Sequence, residues 1–175
     1  QLVNAVLLGQ ALAQINPEVR PDQLVNAVLQ GKAVTQDTSE VIGTVGAPLY
    51  EGWIGFADNE IEAQSFIAAL DSTLTELKYW LRKTGSPTGN VVVEVQTDNV
   101  GDPSGTVVGT VDTIDGTTLT GTMTEYTTSG VSIGPLSAAT KYWIVIHRSG
   151  ADDAGNYYRV GNSDPSTYAD GAEAY

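Results

Sequence analysis

The chain has 175 residues, which is enough for one ordinary domain with an appendage and too few for two full-sized domains. Hydrophobic residues make up 41% and charged residues 17%, so the composition is that of a folded protein. The formal charge of −13 argues against nucleic acid and against an anionic membrane as partners. The absence of cysteine excludes disulfides and thiolate sites, and a single histidine, His147, excludes a multi-histidine metal site within one chain.

An internal repeat dominates the first 36 residues. The heptapeptide QLVNAVL stands at residues 1–7 and again at residues 23–29. Each copy places its apolar side chains on one face of a helix, and Pro21 followed by Asp22 is typical of a helix start. The sequence therefore predicts two short helices whose apolar faces bind a partner surface, through Leu2, Val3, Val6, Leu24, Val25 and Val28.

The partner of these helices is left open by the residues. Two helices of about two turns cannot bury their faces on each other alone. They pack either on another protein, a trimerising stem included, or on the β domain of the same chain. The chain begins at Gln1 without an initiator methionine, as expected of a processed product or of a segment of a longer protein.

Three regions of different character follow one another. Residues 1–36 are the repeated helical segment, residues 37–58 a connector, and residues 59–175 a β domain. The connector contains four glycines and Pro48 among short apolar stretches. It is too apolar for a free linker, so we expect it to lie along a surface or to supply a first strand to the β domain.

From residue 59 onward the hydrophobic period changes to two. Glycine- and proline-rich turns at 85–89, 101–105 and 115–116 separate the alternating runs. Strands are predicted at residues 77–82, 91–96, 106–111, 118–126, 141–148 and 156–161, within a total of seven or eight. Short strands with such turns are typical of an antiparallel β-sandwich, and a jelly roll is the expected wiring. The fold class is therefore mainly β, preceded by the helical repeat.

Several segments of the β domain carry a family resemblance. These are AQSF from Ala63, LKYWLRKTGSPTGNVVVEVQTDN from Leu77, GDPSGTVV from Gly101, KYWIVIHRSG from Lys141, NYYRVG from Asn156 and YADGAEAY from Tyr168. Over residues 60–175 the chain resembles the jelly-roll, carbohydrate-binding-like modules of bacteriophage virion proteins and of secreted bacterial surface proteins. The resemblance implies a decoration protein, head fibre or tail fibre.

Aromatic side chains are the candidates for a glycan site, because sugar recognition stacks a flat ring on the apolar face of a pyranose. Trp80 is out of phase with Tyr79 and Leu81, and Trp143 shares its phase with His147. If both tryptophans share the concave face, they form a stacking platform with His147 or Arg82 at its edge. The alternative is that both are core or subunit-interface residues. One of Tyr157 and Tyr158 should also face outward, and Tyr158 is a candidate for ligand stacking.

Two acidic loops, 98–102 and 152–156, cluster oxygen ligands near glycines, as calcium loops do. Neither has the spacing of an EF-hand, and turn formation by Asp and Asn is the commoner explanation. Structural calcium is therefore a minor alternative, and no metal site or other cofactor is predicted. No nucleophile elbow, phosphate-binding loop or HExxH motif occurs, so no catalytic residue is assigned.

The expected function is that of a non-enzymatic virion protein, located extracellularly on the particle surface. Its N-terminal repeat would bind capsid or other virion proteins, and its jelly roll would project outward, with a homo-oligomer, such as a trimer, and a host surface glycan as further partners. The alternative is a carbohydrate-binding module of a secreted enzyme or of a surface adhesin or filament.

Overall fold

A computed structural model describes residues 48, 50–56, 61–162 and 173–174. Within these residues the protein is mainly β, as predicted, and its strands run antiparallel in two sheets. The strands are β1 (Tyr50–Ile54), β2 (Ile61–Ala68), β3 (Ser72–Thr84), β4 (Asn90–Asn99), β5 (Asp102–Asp115), β6 (Thr124–Leu136), β7 (Thr140–Arg148), β8 (Tyr157–Asn162) and β9 (Glu173–Ala174). The described residues contain no helix long and apolar enough to cross a membrane.

The two sheets form a β-sandwich with a regular order of strands. One sheet has four strands in the order β1-β8-β3-β6, and the other has five in the order β5-β4-β7-β2-β9. Strand β4 pairs with β5, β3 with β6, β2 with β7 and β1 with β8. The first eight strands are therefore one long antiparallel ribbon that has been folded over, and β3–β8 and β4–β7 pairing joins its successive layers.

Alternation along the strands separates the core from the outer faces. In β3, Tyr79 and Leu81 are buried in the main core, and in β7 the core residues are Tyr142 and Ile146. The intervening residues of β7 point to the other face of the five-stranded sheet. There Trp143 and two of its neighbours form a second buried cluster, which consists of Ala63, Trp143 and Val145.

Several segments differ from the predicted elements. Ile61–Ala68 forms β2 although no strand was named there, and β5 begins at Asp102, within the predicted turn 101–105. Tyr50–Ile54, within the predicted connector, forms β1, so the sandwich begins before residue 59. The strand predicted at 118–126 is displaced, because Asp115 caps a short 3-10 helix, Gly116–Thr118, and β6 starts only at Thr124. The Asp115 side chain accepts a hydrogen bond of 2.9 Å from the backbone N–H of Thr117.

The ribbon reverses direction at Val100 and Gly101. Both residues have positive φ, 55° and 102°, which is the geometry of a two-residue hairpin turn. A β-branched residue is strained in this region, and the Val100 side chain is 97% exposed. No packing contact thus offsets the strain at the tip.

A hydrogen-bonded triad joins the two sheets. The Tyr79 hydroxyl of β3 and the Thr128 hydroxyl of β6 each donate to Asp112 Oδ2 of β5, both over 2.7 Å. Burial opposes ionisation of Asp112, but the two donated bonds outweigh it and lower the pKa of its carboxyl. Burial of the Tyr79 hydroxyl raises the pKa of that group, so it stays a donor.

Arg148, at the end of β7, ties three segments together. The guanidinium donates to the carbonyl oxygens of Thr88 and Asn156 over 2.9 and 3.0 Å, and its carbon lies 5.7 Å from the centre of the Tyr158 ring. The residue is only 9% exposed and no described carboxylate forms an ion pair with it. The loop after β3 and the loop after β7 are thus held by one cation bound to carbonyl oxygens and a ring face.

Replacing Arg148 by methionine should strongly destabilise the sandwich. The change leaves two carbonyl oxygens without their donor and removes the cation over Tyr158, for an expected loss of about 2–4 kcal/mol in the free energy of unfolding. Arg148→Lys should recover only part of it, because an ammonium cannot reproduce the planar fork. Lys78→Met, at an exposed position of β3, is the control and should change stability by less than about 0.5 kcal/mol. Urea denaturation measures all three, and equal losses for Arg148→Met and Lys78→Met would contradict the role of Arg148.

Candidate functional site

The outer face of the four-stranded sheet carries a cluster of rings and charges. Leu81 and Val160 face the core, so their neighbours Arg82 and Arg159 face outward, and the strand pairing puts Arg159 beside both Arg82 and Trp53. We call this cluster the aromatic–arginine surface; it consists of Glu51, Trp53, Phe56, Arg82, Tyr157 and Arg159.

Glu51 connects the two arginines. Its carboxylate accepts two hydrogen bonds from Arg82, from Nε over 2.9 Å and from Nη2 over 2.7 Å, and a third from Arg159 Nη1 over 2.8 Å. All three side chains are partly exposed, at 23–29%. Two cations share one anion, so this spot carries an excess positive charge on a protein whose net charge is −13.

The rings pack against the same arginine. The guanidinium carbon of Arg159 lies 5.5 Å from the ring centre of Trp53 and 5.4 Å from that of Tyr157, within the range of cation–π contacts. Phe56 packs edge-on against both rings at 4.8 Å. Tyr157 is buried and Phe56 is partly exposed, whereas Trp53 remains 37% exposed, so the indole is the most accessible ring of the three.

These contacts set the protonation of the surface. The hydrogen bond from Arg82, helped by that from Arg159, lowers the pKa of the Glu51 carboxyl despite the opposing effect of burial. The hydrogen bond from Arg159 lowers the pKa of the Tyr157 hydroxyl. Glu51 is therefore an ionised acceptor at neutral pH and is unsuited to general-acid catalysis, which needs a proton at the working pH. The arrangement is fitted to binding, with an exposed ring beside fixed hydrogen-bonding groups.

Two buried donors on this face have no acceptor among the residues that the structure describes. Trp80 Nε1 and Arg159 Nε are enclosed and make no hydrogen bond. A donor buried in this way costs stability. The face that carries the exposed Trp53 thus also contains the least satisfied hydrogen-bonding groups among the described residues.

The predicted tryptophan platform does not form within one chain. Trp80 lies on β3 of the four-stranded sheet and Trp143 on β7 of the five-stranded sheet, each pointing away from the common core. Trp143 is fully buried, and its Nε1 donates to Asp98 over 2.9 Å. The alternation of each strand indicated the face of its own sheet correctly, but the two outer faces lie on opposite sides of the sandwich.

The other two predicted glycan residues also have different surroundings. Tyr158 is fully buried, and its hydroxyl donates to the carbonyl oxygen of Gly89 over 2.8 Å, so it cannot stack on a ligand. His147 is 29% exposed, with its Nε2 3.8 Å from a Glu94 oxygen. It lines a cavity of about 350 Å³ with Ile61, Arg148, Gly150, Ala151 and Asp152. The predicted anchor residues Leu2, Val3, Val6, Leu24, Val25 and Val28 lie outside the described residues.

The acidic loops use their carboxylates in turn formation. Asp98 accepts from the backbone N–H of Gly101 over 3.2 Å as well as from Trp143. Asp153 accepts from the N–H of Gly155 over 2.8 Å and from the Asn156 amide over 2.7 Å. Within the described ranges, no three metal-ligating side chains are grouped so as to hold an ion.

Sequence reasoning missed Trp53, Glu51 and Arg159 as members of one site. Glu51 and Trp53 fall in the predicted connector, and Arg159 is 108 residues from Glu51. Strong alternation marks none of these positions, and only the pairing of β1 with β8 brings them together. Arg82 alone was named, at the edge of a platform that does not form.

No known protein family, curated protein or solved structure matches the chain.

Removal of the Glu51 charge should destabilise the protein in a pH-dependent way. Glu51→Gln leaves two adjacent arginines without their anion, and because the group is partly exposed we expect a loss of roughly 0.5–1 kcal/mol in unfolding free energy at pH 7. The folded pKa lies below the ordinary value of 4.5, so the stabilisation by ionised Glu51 is complete above pH 4.5. It is lost as the pH falls through the folded pKa.

Urea denaturation of wild type and Glu51→Gln between pH 7 and pH 2 measures the pH dependence of this loss in unfolding free energy. The difference between wild type and Glu51→Gln should shrink below pH 4.5, because the protonated glutamate is neutral like glutamine. Glu125→Gln, at an exposed acid of β6, is the control and should give a smaller difference at pH 7. A Glu51→Gln difference that stays constant down to the lowest pH would contradict the role of the charge.

Proposed function

We propose that this protein is a non-enzymatic structural component of a bacteriophage particle, on whose surface it displays a jelly-roll domain. The observation that carries the proposal is the strand pairing. A ribbon in which β4 pairs with β5, β3 with β6, β2 with β7 and β1 with β8 supports jelly-roll wiring. Jelly rolls are frequent in viral capsid proteins and lectins, so this order favours the two functions that the sequence suggested.

The N-terminal repeat provides the attachment in this proposal. Two identical heptapeptides offer two equal apolar faces, and a particle built from repeated subunits offers equal sockets. Binding through both copies raises the affinity without new kinds of contact, because the second contact is intramolecular. The first described strand of the sandwich begins at Tyr50, so the repeat precedes the β domain in the sequence.

The anchoring role can be tested with the double variant Val6→Asp and Val28→Asp in the full chain. A charge on each apolar face should reduce the copies bound per purified particle at least about tenfold, which corresponds to about 1.4 kcal/mol of binding energy. Quantitative mass spectrometry of sedimented particles measures the copy number. Val6→Leu with Val28→Leu keeps both faces apolar and should bind like wild type. Undiminished attachment of the aspartate variant would exclude the repeat as the anchor.

A glycan-binding module is the second candidate, and the exposed Trp53 is the observation that favours it. Its ring is accessible beside Glu51 and two arginines, the combination of a flat apolar surface and fixed polar groups that sugars require. On this reading the aromatic–arginine surface replaces the platform of Trp80 and Trp143.

A glycan array with wild type and Trp53→Ala tests this candidate. Loss of the ring should weaken binding of any recognised glycan at least about tenfold. Leu70→Ala is the matched control, because Leu70 is the other described large side chain with comparable exposure near a strand end, at 42%. A wild type that binds no glycan, or a Trp53→Ala variant that binds equally well, would remove the glycan candidate and leave the anchoring proposal unaffected.

A further inference from the structure

On the same side of the sandwich, each sheet ends in a long strand whose outer edge is not covered by any part of the chain that the structure describes. Strand β5, with 14 residues, ends the five-stranded sheet, and β6, with 13 residues, ends the four-stranded sheet. No described strand pairs with the outer edge of either. Such an edge presents a row of free N–H and C=O groups, which another strand can use.

The two edges differ in regularity. Three register shifts interrupt the pairing of β5 with β4, and bulges of this kind twist an edge away from a new partner. Strand β6 pairs with β3 without interruption from Thr124 to Ser129, and its register shifts fall only beyond that stretch. The stretch Thr124–Ser129 is therefore a straight, unprotected edge, and its threonines and tyrosine favour extended pairing.

Charge is nearly absent from this side of the molecule. The chain has 21 acidic and eight basic residues, yet residues 103–140 contain only three charged side chains, Asp112, Asp115 and Glu125. Asp112 is bound to Tyr79 and Thr128, which leaves two acids exposed. Each copy has a net charge of −13, so most surfaces of two copies repel one another. Repulsion is weaker where the sides that carry β5 and β6 meet, because few charged side chains lie there.

The stretch Thr124–Ser129 also has few of the devices that keep edge strands apart, and Glu125 is its one charged residue. Strand β6 contains no lysine, and its one proline, Pro135, lies at its far end. Strands β1 and β9 also end sheets, but they have only five and two residues. Very short edges are themselves a protection, so the straight part of β6 is the described edge most suited to pairing.

We propose that Glu125–Ser129 of β6 pairs antiparallel with the same stretch of a second copy of this chain, across a two-fold axis at Thr127. The four-stranded sheets of the two copies then continue into one another. This register puts Glu125 opposite Ser129 of the other copy, so the like charges do not meet. The pairing is isologous and uses the β6 edge of each copy. It therefore closes as a dimer and does not grow into a fibre. It uses none of the N-terminal repeat and stands apart from the anchoring proposal.

A charge placed in the middle of the edge tests the pairing. Thr127 is exposed, and its neighbours Tyr126 and Thr128 point inward, so Thr127→Lys should leave the fold intact and weaken self-association at least about tenfold. Thr127→Val keeps the size and extended preference and should associate like wild type. Ser137→Lys adds the same charge in the exposed turn after β6 and is the control for overall electrostatics. Sedimentation velocity on the four full-length proteins gives the dissociation constants, with circular dichroism to verify folding.

Cross-linking gives a second readout that depends on geometry. The chain has no cysteine, so Thr127→Cys introduces a single thiol. Cα atoms of directly opposed antiparallel residues are about 4.5–5.5 Å apart, within the range of about 4.4–6.8 Å that a disulfide spans. Thr127→Cys should therefore oxidise to a covalent dimer, and Ser137→Cys should not.

The comparison is between variants, so an additional contact through the N-terminal repeat does not hide the result. Weaker association of Thr127→Lys alone, together with cross-linking at position 127, supports the pairing. A monomeric wild type at its highest soluble concentration would overturn it. Equal dissociation constants for Thr127→Lys and Ser137→Lys, or failure of Thr127→Cys to cross-link, would do the same.

Discussion

The sandwich depends on one constraint, the folding of a single antiparallel ribbon whose two arms are β1–β4 and β5–β8. Once Val100 and Gly101 reverse the chain, each strand of one arm is matched to a strand of the other. Rolling the ribbon then places β3 and β6 over β4 and β5, and the Tyr79–Asp112–Thr128 triad joins the layers. The aromatic–arginine surface exists only because β8 returns between β1 and β3.

Arginine side chains stabilise the interior and the surface of the sandwich in different ways. Arg148 is buried and bound to carbonyl oxygens and to the Tyr158 ring, so it fixes loops without presenting charge to solvent. Arg82 and Arg159 share Glu51 at the surface, and Arg159 also lies over the Trp53 ring. With only eight basic residues in the chain, three arginines thus organise the end of the sandwich and one of its faces.

Local pattern was sufficient for several strands and for the faces of the side chains along β3 and β7. The alternation around Tyr79 and around Tyr142 predicted their burial and the outward direction of Trp80 and Trp143. What alternation does not contain is the sheet to which a strand belongs, and for that reason the platform of Trp80 and Trp143 failed. The displaced start of β6 has a similar origin, because the Asp115 cap competes locally with extended structure.

Long-range pairing accounts for what the sequence did not reveal. Glu51 and Arg159 are brought together by β1 and β8, the first and last of the eight strands of the ribbon, and no local spacing links them. The uncovered edge of β6 is likewise a property of strand order, since a run of threonines reads the same in a central strand. The neutral character of residues 103–140, in contrast, is visible in the sequence once the strand order gives it a location.

The position of β1 has a mechanical consequence. Strand β1 is paired with β8 through only five residues, at the edge of its sheet. A force applied to the chain before the sandwich would act on β1 at Tyr50. Such a force would break the hydrogen bonds between β1 and β8 one after another, beginning at the pair Tyr50 and Asn162. Next along the path are the hydrogen bond of 2.9 Å that the backbone N–H of Trp53 donates to Glu62 Oε1 and the bonds that Arg82 and Arg159 donate to Glu51. These contacts, and not the large core, are the first that a force on the N-terminal end of β1 would have to break.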